Sequence, residues 1–128
     1  ITIWRDYGKD AVLFSNGYVL DRVIAAADLL KDKGIAVTVA DINILYGKND
    51  AKIVEAIRSA EQLFTIEDHN INGGLGSYIS RLSTEHAPRK VKRIALTTYG
   101  ESGPAKELAD QYGYSPEAIA QTVVETLR

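Results

Sequence analysis

The residues best suited to chemistry fall in one stretch: Glu67, Asp68 and His69, then Gly73, Gly74, Gly76 and Ser77. Two carboxylates beside an imidazole are metal-ligand types. Glycines ahead of a helix let the backbone approach a phosphate or a neighbouring chain, and a helix N-terminus favours an anion. The stretch follows the C-terminal end of a predicted strand, the edge at which open α/β sheets hold ligands.

Each of these readings meets a geometric objection. Adjacent residues on an extended chain point to opposite faces, so Glu67, Asp68 and His69 do not converge on one ion. The other histidine, His86, has Glu85 and Arg89 close by and reads as a solvated helix end. The spacing G-G-x-G differs from G-x-G-x-x-G and follows a late strand, and a Walker A pattern is absent. Ser77 sits in G-L-G-S, which is not a nucleophile elbow. A second polar stretch, Glu101-Ser102-Gly103-Pro104, lacks a partner base and reads as turn chemistry. With no cysteine, thiolate catalysis, disulfides and Cys-zinc sites are excluded. No catalytic, cofactor-binding or metal-ligating residue is therefore assigned. His69 is read as a loop residue with a hydrogen-bonding or interface role.

The elements that must position this stretch alternate between strand and helix. Ile1 to Trp4 reads as a short edge strand, and Ala11 to Phe14 as a strand covered on both faces, closed by Asn16-Gly17. Leu20, Val23, Ile24, Ala27 and Leu30 recur at helical spacing. Lys31, Lys33 and Gly34 suit the end of that helix, where cations face the dipole and glycine takes the left-handed conformation. Ile35 to Ala40 is the next strand. Asn49 or Asp50 caps a helix bearing Ile53, Val54, Ile57 and Ala60. Asp10 is read as structural. Leu63 to Ile66 is a strand, Leu75 to Leu82 a helix, and Val91 to Leu96 the final strand. Ala105 to Gln111 is expected to be a short helix. Ser115-Pro116-Glu117 starts another, with Ile119, Val123 and Leu127 on one stripe. This order predicts an α/β fold with a mostly parallel sheet and helices on both faces.

The 128 residues make one ordinary domain without internal repeats. A chain of this size buries roughly two-thirds of its unfolded surface. The net charge of -2 and scattered Lys and Arg give no grip on nucleic acid or an anionic membrane. No apolar run approaches the ~18–20 residues of a membrane span. A cysteine-free chain without a signal peptide fits the cytoplasm. A chain that begins at Ile1 and contains no Met reads as a fragment of something longer.

Two separated phrases resemble a known family. Phe64-Thr-Ile-Glu-Asp-His-Asn-Ile-Asn-Gly-Gly-Leu-Gly-Ser77 resembles the VEDH…GGLGS stretch of transketolase C-terminal regions. Tyr99-Gly-Glu-Ser-Gly-Pro104, with Glu107-Leu108 and Tyr112-Gly113-Tyr114, resembles their FGESG…ELL…YG ending. The segment Asp10-Ala-Val-Leu-Phe-Ser-Asn-Gly17 is similar to the strand that opens this domain. One departure is local: family members often carry Pro-Leu-Asp where this chain has Gly47-Lys48-Asn49-Asp50, so Asp50 is kept and the Pro is missing.

The resemblance implies three layers, α/β/α, around a five-stranded mixed sheet whose first strand is antiparallel to the rest. It implies a parent enzyme of the pentose phosphate pathway that moves a two-carbon ketol unit between sugar phosphates. Thiamine diphosphate and Mg²⁺ would lie between a pyrophosphate-binding and a pyrimidine-binding domain, across a homodimer interface, and this domain would bind neither. Its expected role is packing and dimer assembly, with Glu67, Asp68, His69, Gly73, Gly74, Gly76, Ser77, Glu101, Ser102 and Gly103 as candidate interface or loop residues. Two alternatives stay open. One is the corresponding domain of a deoxyxylulose-phosphate synthase, which usually carries His-Gly where this chain has Ser102-Gly103. The other is a stand-alone module that captures an anion on the Gly-rich loop.

Overall fold

Two runs, Ala-Val-Leu-Phe-Ser and Gln-Leu-Phe-Thr-Ile-Glu, lie side by side at the centre of the sheet, buried along their whole length. The computed structural model describes residues 1–42, 50–67, 74–95 and 115–128. Its strands are β1 (Thr2–Asp6), β2 (Ala11–Ser15), β3 (Val37–Asp41), β4 (Gln62–Glu67) and β5 (Lys90–Ala95). They lie in the order β1-β3-β2-β4-β5. Only β1 is antiparallel to its neighbour, and the other three pairings are parallel. The helices are α1 (Leu20–Asp32), α2 (Asp50–Arg58), α3 (Leu75–His86) and α4 (Pro116–Leu127).

Alternation along the central strands divides the core into two clusters. Leu13, Phe64 and Ile66 face α1 and α4, where Val23, Leu30 and Ile119 cover them. Val12, Phe14 and Leu63 face α2 and α3, where Ile53, Ile79 and Leu82 cover them. The result is the expected three-layer α/β/α arrangement.

Helix ends follow the expected chemistry. Gly34 has φ +83°; its N–H donates to the Lys31 carbonyl, and the Ile35 N–H reaches back to the Leu30 carbonyl. That pair of bonds closes α1 and lets Ile35 fold back onto the core beside it. Residues 34 and 35 are thereby taken by the helix end, which is why β3 begins at Val37 and not at Ile35. A 3-10 turn at Gly17–Val19, entered through Gly17 at φ +69°, leads into α1 and was not expected. At α4 the Ser115 hydroxyl accepts from the Ala118 N–H, with Pro116 in the first turn, as expected. The expected helix from Ala105 to Gln111, together with Tyr46, Gly47, Asn49 and Leu96, lies outside the described residues.

The first strand runs two residues beyond Trp4 because its end is tied to α1. Arg5 Nε donates to Asp28 Oδ1 at 2.9 Å, and the Tyr7 hydroxyl donates to the same oxygen at 2.6 Å. The Lys31 ammonium lies 4.5 Å from the Tyr7 ring centre. Below the strand, Asp10 is structural as expected: its carboxylate accepts from the Ala36 N–H at 2.9 Å.

The Arg5 hydrogen bond, and after it the Tyr7 hydroxyl, hold the Asp28 carboxyl below its ordinary value of 3.8, against a desolvation cost. The folded value is the lower one, so Asp28 contributes fully above the unfolded value. That contribution disappears as pH falls through the folded value. Asp28→Asn is expected to lower Tm slightly at neutral pH, because the half-exposed pair is screened by solvent. The same variant should match the parent protein once both are measured well below pH 3.8. An equal Tm difference at both pH values would exclude this role.

Candidate functional site

The site begins with the last residue of β4. Side chains alternate along that strand, so Leu63, Thr65 and Glu67 share the face that α3 covers. Glu67 is fully buried. Its carboxylate turns into the start of α3: Oε1 accepts from the Leu75 N–H at 3.0 Å and Oε2 from the Gly76 N–H at 2.5 Å. Those are first-turn N–H groups, which have no acceptor inside the helix. They also stand at the positive end of the helix dipole. Two charge-assisted bonds and that favourable end compensate for removing a carboxylate from water.

Gly76 lies at a close approach to the Arg93 side chain. A Cβ on it would lie 2.4 Å from Arg93 Nε and 3.0 Å from Cζ. The Arg93 side chain rises from β5 on the same face and donates from Nη2 to Ser77 Oγ at 3.1 Å. The first turn of α3 is therefore held from two strands, by Glu67 of β4 and Arg93 of β5. One turn further, the Tyr78 hydroxyl, nearly buried, donates to the Asp50 carboxylate at the start of α2. Asn49 or Asp50 was expected as the cap of that helix; Asp50 is its first residue, and its carboxylate ties α2 to α3.

Glu67, Gly74, Gly76 and Ser77 are thus brought together at the C-terminal end of β4. Gly74 precedes α3 with φ −101°, which any residue adopts. Asp68, His69, Gly73, Glu101, Ser102 and Gly103 lie outside the described residues. His86, the last residue of α3, has a half-exposed side chain 3.9 Å from Glu85, in keeping with a solvated helix end. Among the described residues no group of three His, Cys, Asp or Glu is placed to hold a metal.

Arg93 was missed by sequence reasoning, which read it only as part of a strand. The available signal was its parity with Val91, an inward position on β5, opposite a glycine-started helix. In chemical terms the described cluster binds its own backbone: the anion that α3 receives at its N-terminus is Glu67.

Two substitutions test this arrangement. Glu67→Gln turns an acceptor oxygen into an NH₂ group that faces a backbone donor. It is expected to lower unfolding free energy by about 2–3 kcal/mol in urea titration. Gly76→Ala is expected to cost about 1–3 kcal/mol by forcing the guanidinium aside. In an Arg93→Ala background the Gly76→Ala cost should shrink, a non-additivity of about 1 kcal/mol or more. Strict additivity would show that Arg93 is not what requires glycine there.

Residues 1–119 match the family model described as "Transketolase, C-terminal domain". The chain is 33% identical over 122 residues to one of the subunits of an apulose-4-phosphate transketolase from Actinobacillus succinogenes, covering 93% of this chain and 39% of that protein. It is 31% identical over 118 residues to a "1-deoxy-D-xylulose-5-phosphate synthase" of Syntrophotalea carbinolica, covering 91% of this chain but 19% of that one. Among solved structures, a "Split gene transketolase, inactive beta4 tetramer" superposes with TM-score 0.87 at 29% identity, over 98% of this chain and 41% of that one. The chain thus spans well under half the length of these relatives. The five-stranded mixed sheet agrees with the likeness in fold, and the match extends over nearly all of the sequence: the chain belongs to the transketolase C-terminal domain family.

Proposed function

We propose that residues 1–128 form one domain, the non-catalytic C-terminal part of a transketolase-type enzyme that transfers a two-carbon ketol unit between sugar phosphates. The observation that carries this reading is the family match over residues 1–119. In the parent enzyme, thiamine diphosphate with Mg²⁺ supplies the carbanion chemistry, held by pyrophosphate- and pyrimidine-binding domains outside these residues. This domain's contribution is packing: it braces those domains, on the same chain or on a separate subunit, and supports a homodimer in the cytoplasm. The internal pairing of Glu67 with α3, and of Arg93 with Ser77, supports a bracing role, because these groups hold helix to sheet.

A second reading keeps the fold and changes the reaction to deoxyxylulose-phosphate synthesis. The 31% identity to such a synthase favours it. Ser102-Gly103, where those enzymes usually carry His-Gly, favours ketol transfer. A stand-alone anion module has less support, since Glu67 already occupies the N–H groups of Leu75 and Gly76. Among the described residues no helix is long and apolar enough to cross a membrane.

The test is the mass of the native polypeptide, detected in its source cells with an antibody against this domain. A band several-fold heavier than 14.0 kDa is expected. That polypeptide, with its partner subunit if it has one, should transfer a ketol unit from a ketose phosphate to an aldose phosphate when given thiamine diphosphate and Mg²⁺. Condensation of pyruvate with an aldose phosphate instead would select the second reading. A band at 14.0 kDa would overturn the proposal.

A further inference from the structure

Asn16 is followed by Gly17 at the junction between β2 and the 3-10 turn that leads into α1. An asparagine at the start of a helical turn commonly caps it through the side-chain oxygen. Here the Asn16 side chain makes no cap bond, and its Oδ1 is buried with no hydrogen-bond partner among the described residues. Gly17 is exposed and has φ +69°, so its nitrogen has no side chain beside it and the junction can turn without a Cβ in the way. Ser15, one residue earlier, is pinned. Its carbonyl accepts from the Ile42 N–H, and its hydroxyl donates to the Ile66 carbonyl.

An unheld carboxamide next to an open backbone nitrogen can close a ring, with water as the only co-reactant. The Gly17 nitrogen adds to the Asn16 side-chain carbonyl carbon. The new C–N bond makes a cyclic imide, and the bond from that carbon to Nδ2 breaks. The proton lost by the Gly17 nitrogen is balanced, through solvent, by the one gained by the departing group, which leaves as ammonia. Water then opens the ring at either carbonyl. One product is Asp at residue 16; the other is isoaspartate, in which the main chain runs through the side chain. Closure requires the Asn16–Gly17 peptide to swing out of its extended position at ψ 174°. The bond from the Leu20 N–H to the Gly17 carbonyl resists that swing.

We propose that Asn16-Gly17 is a site of spontaneous deamidation, and that its products weaken the anchor of α3. Val12 and Phe14 face the α2–α3 side of the sheet, the side that also receives Glu67. Asn16 keeps the extended backbone that carries this alternation one residue further, with φ −160° and ψ 174°. Ser15 pairs with Ile66, so residue 16 and Glu67 come next on two neighbouring parallel strands. A carboxylate at residue 16 therefore stands on the same side as the Glu67 carboxylate, and like charges at a buried site repel. Isoaspartate adds an extra main-chain carbon between β2 and α1. The site depends on this junction alone, whichever reaction the parent enzyme performs.

The experiment ages the native polypeptide that carries these residues at mildly alkaline pH and follows residue 16 by peptide mass, as NH₂ is exchanged for OH. Asn72, the other asparagine followed by glycine, falls in a different tryptic peptide. Conversion at residue 16 is expected within about a hundredfold of the rate in a short peptide of the same sequence, because only a local opening is needed. Slower conversion, or conversion in denaturant alone, would overturn the site. The effect on α3 is read by amide hydrogen exchange at Leu75 and Gly76, in the aged fraction and in Asn16→Asp. Exchange there is expected to be about tenfold or more faster than in the unaged parent. Unchanged exchange at both residues would overturn the effect on α3 and leave the site standing. The aged parent supplies both readings even where the Asn16→Asp variant does not fold.

Discussion

The carboxylate of Glu67, closed onto the first backbone N–H groups of α3, sets the relation between the sheet and the helices on its α2–α3 face. A buried carboxylate is costly unless every oxygen finds a donor. The helix supplies donors only if its first turn stands directly over the end of β4. Position and orientation of α3 therefore follow from one electrostatic requirement. Once α3 is placed, Arg93 can lie against Gly76 and reach Ser77, and Tyr78 can reach Asp50 and bring α2 alongside. A glycine, an arginine and a tyrosine that look unrelated in sequence serve the same placement.

The opposite face is held differently. There α1 and α4 cover Leu13, Phe64 and Ile66 with aliphatic side chains, and among the described residues Asp28 adds a polar tie at the margin by gathering Arg5 and Tyr7. Hydrophobic burial is proportional to area and indifferent to direction. It brings these helices onto the sheet without setting their register as sharply. The directional bonds at β1 supply that missing constraint and also fix the antiparallel edge strand to the domain.

Much of this was legible in the sequence, and the limits have physical causes. The apolar run of β2, the glycine end of α1 and the Ser-Pro start of α4 are local patterns, set by neighbours within a few residues. Strand boundaries moved where a local device competed, as at Gly34 and Ile35, which serve the helix end before β3 can begin. Strand order and the reversed sense of β1 are not local, and periodicity carried no trace of them; only the family resemblance implied the antiparallel strand. The contact between Arg93 and Ser77 spans 16 residues and that between Arg5 and Asp28 spans 23. Each exists only after the sheet has assembled. The chemistry suggested by Glu67 was legible as a residue type and misleading as a role, because an acid next to a glycine-led helix can serve the helix itself.

The place of α4 in chain order has a consequence for how the molecule is made. Ile119, Ala120 and Val123 complete the first core cluster, yet all five strands precede them. On a ribosome, the sheet can pair while one of its faces still lies open to water. Until α4 emerges, Leu13, Phe64 and Ile66 lack part of their cover, and the nascent domain offers a broad apolar surface to chaperones and to other unfinished chains. A fold whose closing element is synthesised after its sheet is vulnerable during the interval between the two, even when the finished product is well packed.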